Sequence, residues 1–285
     1  MGNTFSQGFP PKPIFTVEQI PELTGQVMIV TEGIPELGKK LVKLVSSITG
    51  ALAPSQASHL ANFASIRKAV EEFKSKETEL HVLFNNAGVM VPPVEQRTTE
   101  GYDLQFGTNV LGHYLFTTLL LPMLIHTAKN SPLAHGHARV INTSSSAVYH
   151  VPKGGIIWET LGIDASSVQA CKTLGTHKLY YQSKLGNVLF SNELARRYAS
   201  QGIISSSLNP GNLQTDLVRH LNWFVVGLLG FFLHPASYGA LTQLWSGTTV
   251  DGESHSGKFL IPWDRVGTLG HIAMIKSLLK GYGIG

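Results

Sequence analysis

Tyr180 and Lys184 stand four residues apart in the run Tyr180-Tyr181-Gln182-Ser183-Lys184, which leads into a helical stretch from Leu185 to Tyr198. On a helix, residues at this spacing lie one turn above each other, so the phenol and the ammonium share a face. A cation beside a phenol favours the phenolate and draws its pKa down from about 10 toward the working range. Tyr180 is then a candidate to donate or accept a proton at a carbonyl carbon undergoing hydride transfer. Tyr and Lys at this spacing also occur on ordinary solvated helices, so the pair has meaning only if the rest of the chain builds a site around it.

The elements that would do so alternate along the sequence. Val27-Met28-Ile29-Val30, Val82-Leu83-Phe84, Arg139-Val140-Ile141-Asn142, Ile203 to Leu208 and Lys258 to Ile261 read as short strands, the first two apolar throughout. Such runs mark strands covered on both faces. Helices are expected at 37–47, 64–76, 102–118 (continuing past Pro122 toward Ala128), through Tyr180, and at 236–245, with 147–176 irregular. Strands alternating with helices imply an α/β fold with a doubly wound parallel sheet. Residues 1–22, with Pro10, Pro11, Pro13 and Pro21, read as an arm on the surface; residues 23–285 read as a single domain with an apolar lid near 217–235.

The 285 residues suffice for a sizeable core, and 22 Lys and Arg against 18 Asp and Glu leave a scattered formal charge of +4. No basic run exceeds two residues, which argues against nucleic acid. Cys171 is the only cysteine, which rules out a disulfide framework. His135-Gly136-His137 lacks further ligands at metal-binding spacing, so no metal is expected. No segment reaches the roughly 18 apolar residues of a membrane span. The expected location is therefore cytoplasmic. Met1-Gly2-Asn3-Thr4-Phe5-Ser6 matches an acylation pattern, and myristoylation of Gly2 would add peripheral membrane contact.

Five motifs in order resemble the short-chain dehydrogenase/reductases, closest to their retinol-dehydrogenase-like fungal-type group. They are Asn85-Asn86-Ala87-Gly88, Thr108-Asn109-Val110-Leu111-Gly112, Val140 to Ser145, Tyr180 with Lys184, and Asn209-Pro210-Gly211 with Thr215. The resemblance implies a Rossmann-like fold and catalytic roles for Ser145, Tyr180, Lys184 and Asn109. Ser145 would hydrogen-bond the substrate oxygen as charge develops there. Tyr180 would exchange the proton, Lys184 would lower its pKa and hold the nicotinamide ribose, and Asn109 would steady a water linking Lys184 to solvent. The resemblance also assigns cofactor contacts to Thr31, Gly33, Leu37, Gly38, Asn86, Ala87, Gly88, Pro210, Gly211, Leu213 and Thr215. The cofactor implied is NADP, with NAD as the alternative; the substrate is an apolar small molecule, such as a lipid or secondary metabolite, and homo-oligomers are common in the family.

The chain departs from the pattern in two places. Where the family's phosphate turn reads T-G-x-x-x-G-[IV]-G, this chain reads Thr31-Glu32-Gly33-Ile34-Pro35-Glu36-Leu37-Gly38, with glutamates at two expected glycines. Backbone amides must approach the pyrophosphate closely there. A like charge at about 4 Å costs on the order of 1 kcal/mol in water and about 4 at an effective dielectric of 20. Weak cofactor binding follows. Secondly, only 47 positions separate Gly38 from Asn85 (85 − 38). Ordinary element lengths require roughly 60–65, so one βα unit near 49–62 is expected to be missing or reduced. These departures leave two alternatives beside a nicotinamide-dependent oxidoreductase: a cofactor-free catalyst of dehydration, isomerisation or cyclisation on the same scaffold, and an inactive relative.

Overall fold

The computed structural model describes residues 6–31, 52–55, 60–213 and 233–269. Among them, seven strands form one sheet: β1 (Met28–Thr31), β2 (Leu52–Ser55), β3 (Val82–Asn85), β4 (Ala138–Thr143), β5 (Ile203–Leu208), β6 (Phe259–Ile261) and β7 (Arg265–Gly267). Their order is β2-β1-β3-β4-β5-β6-β7, parallel throughout except that β7 runs antiparallel to β6. The fold is Rossmann-like. Between β1 and the next described helix, β2 is the one described strand. Pro54 fits this place: it stands in register with Val30 on the edge strand, where a missing N–H is tolerated.

Alternation along the strands divides the core between two faces. Ile29, Leu83, Val140 and Ile203 point to a cluster covered by α1 (Phe63–Lys76) and α2 (Leu104–Asn130). Met28, Val30, Val82, Phe84 and Ile141 point the other way, against α5 (Ala236–Thr248) and Phe15 of the arm. The repeat Ile66, Val70 and Phe73 explains how α1 docks, and Asn62 caps its start by accepting from the Ser65 amide at 3.0 Å.

Three expectations need correction. Residues 147–176 are not irregular throughout, because Ala165–Leu174 forms α3, capped by Asp164 accepting from the Ser167 amide at 2.8 Å. The arm does not merely lie on the surface: Phe15 is buried in the core and Gln7 is buried as well. The long helix α2 is interrupted, with Gly107–Gly112 wound as π-helix before the α-helical His113–Asn130. The expected helix at 37–47, residues 217–232 of the lid, and Gly2 lie outside the described residues.

Candidate active site

The carboxyl ends of β4 and β5 and the middle of α4 (Thr176–Tyr198) meet at the expected pair. Three hydrogen bonds stitch β4 to α4. The Ser144 hydroxyl donates to the Lys184 carbonyl at 2.7 Å, while Lys184 Nζ and Asn187 Nδ2 donate to the Thr143 carbonyl at 3.2 and 3.0 Å. Ser144 is thereby a structural residue. Ser145, next along, is half-buried and accepts from the Ala147 amide at 3.2 Å. Its hydroxyl lies near enough to the Tyr180 phenol to favour the ionised form of that group.

Electrostatically the pair is not what its spacing suggests. Lys184 Nζ lies over the Tyr180 ring, 5.7 Å from its centroid, which is within cation–π range. Burial pushes the phenol up to about 12, opposed by the Ser145 hydrogen bond. Burial likewise pulls Lys184 down to about 8. The expected lowering of the Tyr180 pKa is thus reversed, because desolvation penalises the charged form of both groups. At pH 7 the pair is a neutral phenol above an ammonium.

Asn109 sits in the π-helical stretch and is fully buried. Its amide donates to the Val89 carbonyl and to Ser183 Oγ, both at 3.0 Å, and accepts from the Val89 amide at 2.8 Å. Its side chain is therefore committed to holding the loop after β3 against α4. A π-turn inserted in an α-helix is often found at functional sites.

His113 was not singled out in the sequence. It links Asn109 to Thr31, with Nδ1 3.0 Å from the Asn109 carbonyl and Nε2 2.9 Å from Thr31 Oγ1. Thr31 Oγ1 already accepts from the Asn86 and Ala87 amides at 2.9 and 3.0 Å. The Asn109 carbonyl can only accept, so the proton of the neutral imidazole sits on Nδ1 and Nε2 accepts from the Thr31 hydroxyl, whose other acceptor is the Phe84 carbonyl at 3.3 Å. Burial holds His113 neutral, with its pKa lowered to about 4. The available signal was a histidine inside an otherwise apolar helix, a buried polar group that must find partners.

The expected cofactor contacts separate into three groups. Thr31, Asn86 and Ala87 are buried, and Asn86 also accepts from Gln243 Nε2 at 3.1 Å, so the Thr31 hydroxyl, the Asn86 side chain and the backbone amides of Asn86 and Ala87 latch strand ends together. Leu213 packs its side chain into the core. Gly88 lies beside Asn109 and Lys184, Pro210 is buried and Gly211 lies against Trp263, while Gly33, Leu37, Gly38 and Thr215 lie outside the described residues. On the nicotinamide side the groups present fit such a ligand. A Cβ at Gly88 would stand 3.1 Å from Asn109 Oδ1 and 3.3 Å from Lys184 Nζ, so glycine there keeps a channel open beside the ammonium. Lys184 has three donors and, among the described residues, one acceptor in the Thr143 carbonyl, leaving capacity for ribose hydroxyls.

A family model described as short chain dehydrogenase matches residues 18–157. A short-chain dehydrogenase/reductase of Armillaria gallica is 46% identical over 294 aligned residues, covering 94% of this chain and 92% of that protein. A polyprenol dehydrogenase of Homo sapiens is 37% identical over 207 residues, covering 70% of this chain and 58% of that protein. In fold, the chain is similar to a 3-ketoacyl-(acyl-carrier-protein) reductase from Brucella melitensis solved with NADH, with a TM-score of 0.61 at 18% identity over 84% of this chain and 96% of that one. The chain belongs to the short-chain dehydrogenase/reductase family.

Proposed function

We propose that this protein is a nicotinamide-dependent oxidoreductase that interconverts a carbonyl and an alcohol on an apolar substrate. The observation that carries this reading is the convergence of the Ser145 and Tyr180 hydroxyls beside the buried Lys184 ammonium. Ser145 orients the substrate oxygen by donating to it, and Tyr180 passes its proton to that oxygen in reduction or recovers it in oxidation. A phenol that holds its proton at neutral pH is suited to the reductive direction. Lys184 holds the ribose and, by its charge, limits the cost of the phenolate left after proton transfer. A bound nicotinamide supplies or accepts the hydride at the substrate carbon. An apolar substrate is supported by the apolar composition of 217–233 and by the human relative, a polyprenol dehydrogenase. NADP is the preferred cofactor in this proposal, bound weakly.

Glu32 and Glu36 favour a second reading, in which the Ser145–Tyr180 pair works without a cofactor. Titrating the purified chain with NADPH and NADH by fluorescence separates the two. Saturation at or below millimolar concentration is expected; no binding at millimolar cofactor would sink the oxidoreductase and leave the cofactor-free catalyst and the inactive relative. Substituting Tyr180→Phe would then divide those two, since only a catalyst loses turnover.

A further inference from the structure

Four separate segments meet around the turn that follows β5, and one residue of the N-terminal arm joins them. The Tyr149 hydroxyl donates to the Thr268 carbonyl at 3.0 Å. A carbonyl only accepts, so this bond uses the phenol's single proton, and toward any other partner Tyr149 must accept. Gln7 Nε2 donates to it at 3.2 Å. That fixes which way the Gln7 amide lies and turns its Oε1 toward Asn209, whose Nδ2 donates to it at 2.9 Å. Asn209 Oδ1 is then left to accept from the Gly211 amide at 3.1 Å. Each of these amides has two nearly isosteric orientations when isolated, and here every orientation is forced by the next bond in the chain.

The end of this relay is a turn that needs holding. Gly211 lies in the left-handed region, with φ of +90°, and a Cβ there would stand 2.6 Å from the Trp263 ring. The start of the relay is anchored just as firmly. Arg265 donates to the Ser6 carbonyl at 2.9 Å, and the Asp264 carboxylate accepts from the Ile14 amide at 2.7 Å and from the Phe15 amide. Gln7 itself is 2% exposed. Tyr149 belongs to the 3-10 turn Ser146–His150 that Ser145 caps, so the relay touches the catalytic cleft from two sides. The family-model match begins at residue 18, outside which this arm lies.

We propose that Gln7 is a positioning residue for the substrate end of the cleft. By setting the orientation of Asn209 it locks the Asn209-Pro210-Gly211 turn, and through Tyr149 it braces the wall beyond Ser145, so the arm governs how tightly substrate is held. The kinetic consequence rests on the oxidoreductase reading above; the lock itself does not.

The test uses the full chain carrying Gln7→Leu, a near-isosteric change, and separately Tyr149→Phe. KM and kcat are measured on primary and secondary alcohols of rising chain length with NADPH/NADP near saturation, NADPH affinity by fluorescence, and the exchange rate of the Gly211 amide by hydrogen–deuterium exchange. For Gln7→Leu, KM is expected to rise about tenfold with kcat within about threefold, consistent with the loss of one or two hydrogen bonds that only position other groups. Because Pro210 and Gly211 are also expected cofactor contacts, NADPH affinity is expected to fall too, but by no more than about threefold and so by less than KM rises, and the Gly211 amide to exchange about tenfold faster or more. Tyr149→Phe should move KM and exchange the same way by less, because Gln7 Oε1 still reaches Asn209. If Gln7→Leu fails to fold, the Tyr149→Phe values decide. Unchanged KM, an NADPH affinity loss matching the KM rise, or unchanged Gly211 exchange overturns the proposal. If the wild-type chain turns over no alcohol, the oxidoreductase reading fails by itself, and Gly211 exchange alone upholds or overturns the lock.

Discussion

The two sides of the sheet are built to different standards. On the catalytic side, β4 and β5 pair over six residues, from Ala138 with Ile203 to Thr143 with Leu208. The chain beyond them is pinned to α4 through Ser144, Lys184 and Asn187. On the opposite side, β1 pairs over four residues with the edge strand β2, which contains a proline. The sequence places Glu32 and Glu36 within five residues after β1. On the proposed reading Ser145 and Tyr180 must both reach one substrate oxygen beside Lys184, which tolerates little slack, whereas a ligand-binding edge can lose affinity gradually. The difference teaches that, among the described residues, the strands carrying Ser145 and its neighbours are held by more pairing and side-chain hydrogen bonds than the edge formed by β1 and β2.

Removing the proton should break the catalytic side most completely. Tyr180→Phe is expected to lower kcat by roughly 10²–10⁴ while the melting temperature holds, since the ring and its packing remain. Retention of turnover within threefold would show that the phenol is not the acid. The opposite side can be sharpened rather than broken. Replacing both Glu32 and Glu36 with glycine should tighten NADPH about 10- to 100-fold in a fluorescence titration, because two like charges near the pyrophosphate are relieved. An unchanged affinity would mean that those carboxylates do not face it.

His113 joins the two sides and should show itself through pH. Its folded pKa near 4 lies below the ordinary value of 6.5, so the unfolded chain binds the proton more readily. Stability is therefore full above pH 6.5 and lost as pH falls toward 4. Between pH 7 and pH 5 this one group is expected to remove about 2 kcal/mol, read as a fall in urea midpoint. His81 and His255 are shifted down by burial too and add to the slope. His113→Asn should flatten the curve by the His113 share; a slope identical to wild type would refute its neutral burial. The smallest effect is expected at Gly88→Ala. Its added Cβ would press on Asn109 and Lys184, costing about 1 kcal/mol, or roughly fivefold in NADPH affinity, with stability nearly unchanged.

Legibility along the sequence followed a physical pattern. Strands such as Val82–Asn85 and Ile203–Leu208 could be read because continuous apolar or β-favouring runs between turn residues have few other uses. Helix α3 was missed because only Ser167 and Cys171 are buried on it, so it carries no apolar stripe to read. The strand β7 was missed for a related reason: three half-exposed residues gain their strand character only from pairing with β6. Phe15 and Gln7 were hidden in a proline-rich arm, where local composition says surface and only distant partners say otherwise.

What the sequence by itself determined was the set of reactive groups and the sheet that carries them, because helical spacing and strand periodicity are local properties of the chain. It placed Tyr180 and Lys184 on one face and Ser145 at a strand end. What only the tertiary structure decided was the environment of those groups: the ammonium over the ring, the phenol kept protonated, the imidazole of His113 between Thr31 and Asn109, and the arm tucked against Asn209. Burial and the direction of each hydrogen bond depend on residues tens to hundreds of positions away. No local pattern encodes them.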